Sequence, residues 1–170
     1  MYGRRNNLAK YEFIAPCHFG LEAVLKKEIL RLGYEIIKVE DGKITFTGDS
    51  DAICRANIFL RTTERILLKV GSFHATTFVV GLDTTGASLH KRGYRQATVK
   101  APITETLAAA LILLTPWNRN RILVDPFCGS GTFPIEAAMI GANIAPGMNH
   151  SFTSEKWTHL IPKKEWYDAI

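Results

Sequence analysis

The sequence predicts a mixed α/β and α+β chain. A ferredoxin-like βαββαβ module comes first, and behind it the opening β–turn–α step of an open, Rossmann-like α/β sheet. Three observations predict this. Short apolar runs and amphipathic stretches alternate in the order β-α-β-β-α-β over about residues 11–72. An apolar run then ends in an acidic residue at Arg121-Ile122-Leu123-Val124-Asp125. A turn with two glycines, Gly129 and Gly131, follows it directly and opens into a helix pattern at Thr132.

Each element has its own signal. Phe13-Ile14-Ala15 before Pro16 reads as a first strand. Leu21, Val24, Leu25, Ile29 and Leu32 share one helical face, with Glu22, Lys26, Lys27 and Arg31 opposite, and Gly33 stands where a helix stops. Glu35–Val39 and Lys43–Thr47 are strands joined by the tight-turn pair Asp41-Gly42. Asp49-Ser50 offers an N-cap for a helix lined by Ala52, Ile53, Ala56, Asn57 and Leu60. Arg65–Val70 alternates as a strand, and Phe78–Asp83 reads as one more. Leu107 to Leu114 reads as a helix capped by Thr104 and ended by Pro116, and a second runs from Thr132 to Ile140, with Thr132 able to cap it. Residues 142–170 show only a short helix pattern near Lys163 to Ala169.

Composition narrows the class. The 170 residues are 46% hydrophobic and 22% charged, as in a globular protein. A net charge of +5 favours an anionic partner, though mildly. Cys17, Cys54 and Cys128 are too few and too widely spaced for a disulfide framework or a metal-ligand pair, and the five histidines form no metal constellation. A reducing, cytoplasmic setting fits. No secretory h-region follows Arg4-Arg5, and the longest apolar stretch is too short to span a membrane. Nothing in the residues sets an oligomeric state.

The glycine turn is the candidate site. Its glycines let the backbone approach a ligand, Asp125 can accept a hydrogen bond or attract a cation, and the helix N-terminus favours a carboxylate. A nucleoside-triphosphate loop needs a lysine after its last glycine, and Thr132-Phe133 stands there instead. A dinucleotide loop needs a third glycine, where Pro134 stands.

The full string Asp125-Pro126-Phe127-Cys128-Gly129-Ser130-Gly131-Thr132 resembles the S-adenosylmethionine-binding motif of methyltransferases that act on nucleic-acid bases. Lys100–Ala109 resembles the segment upstream of that motif, which contacts the methionine end of the cofactor. Pro102, Thr104 and Glu105 are its candidates here. Together with Ile135–Ala138, Asn143–Gly147, His90–Arg95 and Phe13–Glu22, these segments resemble the THUMP-containing 23S rRNA guanine-N2 methyltransferases, the RlmL-like group. Its members are often labelled N6-adenine-specific DNA methylases.

The resemblance implies S-adenosylmethionine as cofactor, RNA as partner, no metal, and methylation of guanine N2 in 23S rRNA as part of rRNA processing. It also implies boundaries: residues 1–78 as the ferredoxin-like module, 79–100 as a remnant THUMP strand and linker, and 101–170 as the start of the methyltransferase domain. Cys128 then has a packing role. The basic stretch Lys91, Arg92, Tyr94 and Arg95 has two readings, contact with RNA phosphates and a base, or a solvated linker. Two departures from the family are expected to matter. Most of a THUMP domain, roughly a hundred residues by the usual domain size, has no counterpart, with the joint near Phe78-Val79. The Asn-Pro-Pro-Tyr type motif that holds the target base is absent from these residues, so the chain alone is expected to be inactive. Methylation of DNA adenine N6, and a non-catalytic RNA-binding remnant, are the alternative functions.

Overall fold

The computed structural model describes residues 10–73, 78–95 and 102–170. His74, Lys100, Ala101 and the Met1–Asn7 segment fall outside these. Five strands form one antiparallel sheet: β1 (Tyr11–Pro16), β2 (Glu35–Glu40), β3 (Lys43–Gly48), β4 (Leu67–Phe73) and β5 (Phe78–Asp83), in the order β2-β3-β1-β4-β5. The first four, with α1 (Glu22–Arg31) and α2 (Ser50–Phe59) between them, are the ferredoxin-like arrangement. β5 pairs antiparallel with β4, with Leu67 opposite Asp83 and Phe73 opposite Phe78. Phe78–Asp83, at the start of the run expected to be a strand and linker remnant, is a fifth strand at the edge of the same sheet.

The core follows the two periodicities. Phe13 lies opposite Phe46 on one side and Leu68 on the other, so these three point to the helical face of the sheet. Leu25 and Ile29 of α1 and Ile53 of α2 are fully buried with them, as are Ile44, Leu60 and Ile66. Asp49 caps α2, its carboxylate accepting from the Ala52 N–H at 3.3 Å. α1 has no side-chain cap, but the Glu22 carboxylate accepts the Gly20 and Gly42 N–H groups and so ties the helix start to the β2–β3 turn.

The later segment returns onto this module. α3 (Glu105–Leu114) and α4 (Thr132–Gly141) pack on each other, and α3 also touches α1. Beyond α4 the chain runs back along α2. Ala145, Phe152, Ile161 and Ala169 enter the same core as Ile53 and Leu60, and a short α5 (Lys163–Asp168) closes the run. Gly147 passes so close to α2 that an added Cβ would lie 2.8 Å from the Asn57 carbonyl oxygen, and its N–H donates to the Ile58 carbonyl at 2.9 Å. Phe152 stacks between His150 and Trp166 at centroid distances of 4.8 and 5.2 Å. This packing was not visible in the sequence pattern.

Four expectations are corrected. Arg121–Asp125 is not a strand: it pairs with no other strand among the described residues, and Ile122 and Val124 are 91% and 78% exposed. A run of apolar residues becomes a strand only where a neighbour supplies the ladder hydrogen bonds. β4 starts at Leu67 rather than Arg65, because the Ile66 N–H is taken by Thr85 Oγ1. The Thr104 side chain makes no capping bond to α3, whereas Gly131, not Thr132, is the cap residue of α4. His90 and His150 are half-buried and have partners: Glu64 lies 2.7 Å from His90 Nδ1, and His150 stacks on Phe152.

A buried polar knot joins α2 to the later chain. Asn57 Nδ2 donates to the Ile53 carbonyl and to Thr84 Oγ1, both at 2.9 Å, and its Oδ1 accepts from Thr85 Oγ1 at 2.6 Å. Ser154 donates through both its N–H and its hydroxyl to the Thr84 carbonyl. Asn57→Ala strands the Thr85 hydroxyl in a dry site and should destabilise the protein by about 2–3 kcal/mol. Urea unfolding checks this, and a loss under about 0.5 kcal/mol would contradict the knot's role.

Candidate functional site

The glycine turn has the shape its sequence demands. Gly129 and Gly131 take φ of +53° and +76°, the left-handed region that a side chain disfavours. The Asp125 carboxylate accepts the Phe127 N–H at 3.2 Å, which starts the turn, and the Gly131 N–H donates to the Cys128 carbonyl at 2.8 Å, which closes it. The N–H groups of Gly129, Ser130, Thr132 and Phe133 have no acceptor among the described residues. Nothing crowds the turn: a Cβ on Gly129 would have its nearest neighbour 4.0 Å away. The result is an open set of main-chain donors at the start of α4.

The individual side chains divide into an outer and an inner group. Pro126, Phe127 and Cys128 are exposed, Phe127 at 93%, so Cys128 has no packing role here. Asp125 and Ser130 are half-buried, as are Pro102 and Thr104. Thr132 and Glu105 are buried. Thr132 Oγ1 lies 3.1 Å from Ser130 Oγ, a contact within the turn.

Three of the four residues considered for RNA contact point inward. Arg92 is 3% exposed, and its Nε lies 3.1 Å from Glu136 Oε1 as an ion pair. Its Nη2 donates to the Arg61 carbonyl at 2.8 Å. The Tyr94 hydroxyl donates to the same Glu136 oxygen at 2.9 Å. Arg95 Nη2 donates to the Ile103 carbonyl and to Thr132 Oγ1, each at 2.9 Å, while its Nε stands 3.4 Å from Glu105 Oε1. Lys91 alone of the four is exposed. Glu136 sits in the second turn of α4 with no exposure.

These contacts form a chain of polar groups from α1 to α4. Glu28 accepts from the Arg61 N–H, the Thr62 N–H and the Thr62 hydroxyl. Arg61 continues to the Ile144 carbonyl just after α4, and Arg92 links the Arg61 carbonyl to Glu136. Burial pushes the Glu136 carboxyl above its usual range, against the pull of Arg92 and Tyr94. Burial and the Glu136 charge push the Tyr94 phenol up as well. A second branch runs through Glu64. There burial works to raise the carboxyl, but hydrogen bonds from Thr106 and His90 outweigh it and hold the group below its usual value. Burial likewise keeps Cys54 protonated, its thiol pushed up to about 12. Arg61 and Glu64 were not singled out in the sequence, because nothing in the local pattern separates a buried charge from a surface one.

Among the described residues no group of His, Cys, Asp or Glu is placed to hold a metal, and no helix is long and apolar enough to cross a membrane.

The RlmL ferredoxin-like domain matches residues 12–67, and the RMKL-like methyltransferase domain matches residues 92–169. The chain carries these two domains in that order. Its relatives agree. YpsC of Bacillus subtilis, assigned by name to the RNA methyltransferases, is 38% identical over 95% of this chain and 62% of its own length. The large-subunit ribosomal RNA methyltransferase K/L of Vibrio cholerae is 51% identical over 77% of this chain and 18% of its own. The crystal structure of SMU.472, described as a methyltransferase complexed with SAH, superposes with a TM-score of 0.84 at 30% identity, covering 94% of this chain and 64% of that one. The chain thus spans about 62% of YpsC. The alignment with YpsC runs over 242 residues against 170 here, so part of the relative's aligned length has no counterpart in this chain.

Removing the Glu136 carboxylate leaves Arg92 buried without its counter-charge. Glu136→Ala should therefore cost about 3–5 kcal/mol of unfolding free energy, measured by urea denaturation. A cost below about 1 kcal/mol would mean that the pair does not anchor α4.

Proposed function

We propose that this chain contributes the cofactor loop of an S-adenosylmethionine-dependent methyltransferase that acts on large-subunit ribosomal RNA in the cytoplasm, with the guanine N2 amine as the methylated group. The observation that carries this reading is the turn from Asp125 to Thr132: two left-handed glycines expose main-chain donors at the mouth of α4, within the segment matched by the methyltransferase domain. The bound SAH described for SMU.472 and the ribosomal RNA named for the Vibrio cholerae relative support the same assignment.

The residues present fit the methionine end of the cofactor. Its carboxylate needs N–H donors, and the Gly129, Ser130, Thr132 and Phe133 amides are without acceptors among the described residues. Its ammonium needs an acceptor, and the second carboxylate oxygen of Glu105 is buried without a hydrogen-bond donor. Pro102 and Thr104, just before Glu105, border that position in the sequence. Asp125 keeps one carboxylate oxygen outside its bond to Phe127 and offers a further acceptor.

When bound, S-adenosylmethionine supplies an electrophilic methyl group. The task of this chain is to hold the donor still. Fixed amides and a fixed carboxylate set the direction in which a base amine must arrive, and such methyl transfer depends on alignment more than on acid–base help. No Asn-Pro-Pro-Tyr type motif occurs in these 170 residues, so none of them is assigned to holding the target base. The net charge of +5 and the exposed Lys91 suit approach to RNA phosphates. Arg92 and Arg95 serve the loop instead.

Calorimetric titration with S-adenosylhomocysteine tests the reading. Saturable binding is expected, and Gly131→Val should weaken it about tenfold, the equivalent of the ~1–2 kcal/mol that a left-handed backbone costs a residue with a Cβ. No binding at millimolar ligand, or preferred binding of a polyphosphate, would overturn it.

A further inference from the structure

We propose that Arg95 is a positioning residue for the cofactor loop: its guanidinium clamps the first residue of α4 and thereby sets the direction of the loop amides. The proposal rests on the cofactor reading above and adds a residue to it.

One planar cation here meets two segments of chain at three residues. Its Nη2 reaches the Ile103 carbonyl, just before α3, and Thr132 Oγ1 at the start of α4, both at 2.9 Å. Its Nε faces Glu105 Oε1 in the first turn of α3 at 3.4 Å. Thr132 in turn is 2% exposed and shares its hydroxyl with Ser130 inside the turn. A hydrogen-bonded relay therefore runs from Arg95 through Thr132 to Ser130, the residue between the two left-handed glycines.

The glycines allow the turn but do not select one conformation of it, since each has a broad choice of backbone angles. Neither the α4 cap, which has no side-chain bond, nor the exposed Pro126, Phe127 and Cys128 fixes the turn from outside. The relay is the side-chain contact that does so among the described residues. Arg95 also leaves one oxygen of Glu105 without a donor while engaging the other, so the same side chain aims the acceptor assigned to the ammonium. A fork of several N–H groups in one plane can meet these acceptors together, whereas the point charge of lysine cannot.

Two readouts test the clamp, one of them independent of ligand. In the ligand-free protein, Arg95→Met should speed exchange of the hydrogen-bonded Phe127, Gly131 and Ile135 amides by about tenfold while leaving α1 and β3 unchanged. Thr132→Val should reproduce the effect and Thr132→Ser should not. Combining Arg95→Met with Thr132→Val should add little to either single change. In calorimetry, Arg95→Met should weaken S-adenosylhomocysteine binding about tenfold, with Arg95→Lys recovering only a small part. Unchanged exchange of the Phe127, Gly131 and Ile135 amides in Arg95→Met overturns the proposal, as does undiminished ligand affinity. If the loop loosens but the unmodified protein binds no S-adenosylhomocysteine, the clamp stands and the cofactor reading fails.

Discussion

The contact between Arg92 and Glu136 ties α4, and the glycine turn that it carries, to the ferredoxin-like module. Both side chains are almost without solvent, and an isolated charge at either position would be costly to bury. Each is tolerable because the other is present, with the Arg61 carbonyl and the Tyr94 hydroxyl completing the set. The pair fixes α4 against the end of α2 through Arg61, and α4 carries the glycine turn at its start. The position of the candidate cofactor loop is thus set from the ferredoxin-like module, through charges rather than through apolar packing alone.

Packing supplies the rest of the joint. The segment after α4 gives Ala145, Phe152, Ile161 and Ala169 to the core built by β1, β3 and the first two helices. Gly147 is small enough to lie against the α2 backbone. The Asn57–Thr84–Thr85 knot satisfies the polar groups that this approach buries. Here the linker residues His90, Arg92, Tyr94 and Arg95 are themselves part of the interior contact. Any movement of the N-terminal module should therefore be felt at the turn.

Much of this was legible in the residues. The period of 3.6 in Leu21–Leu32 and the alternation in Lys43–Thr47 gave α1 and β3, and Asp49 announced its own cap. The turn from Asp125 to Thr132 could be read because its glycines and acidic residue are local features. What escaped was non-local. Arg92 and Glu136 are 44 residues apart, and by type each reads as a surface charge, so only the fold reveals that they are buried together. Ile122 and Val124 look like strand residues because their pattern is apolar, but a strand exists only when another strand bonds to it. The segment after residue 142 has no clean period, since its residues fit an existing surface one by one. The same limit explains why the basic stretch from Lys91 to Arg95 could be read either as an RNA contact or as a solvated linker: charge in a sequence does not say which way it faces.

The claim that matters most is that a buried charge pair couples the loop helix to the module in front of it. A double-mutant cycle of Arg92→Met and Glu136→Leu, followed by urea unfolding, measures that coupling directly. The structure requires an interaction energy of about 2 kcal/mol or more between the two sites, within the range found for residues in one charged network. Losses that simply add, to within about 0.5 kcal/mol, would show that the two groups act independently and that the loop helix is held by something else.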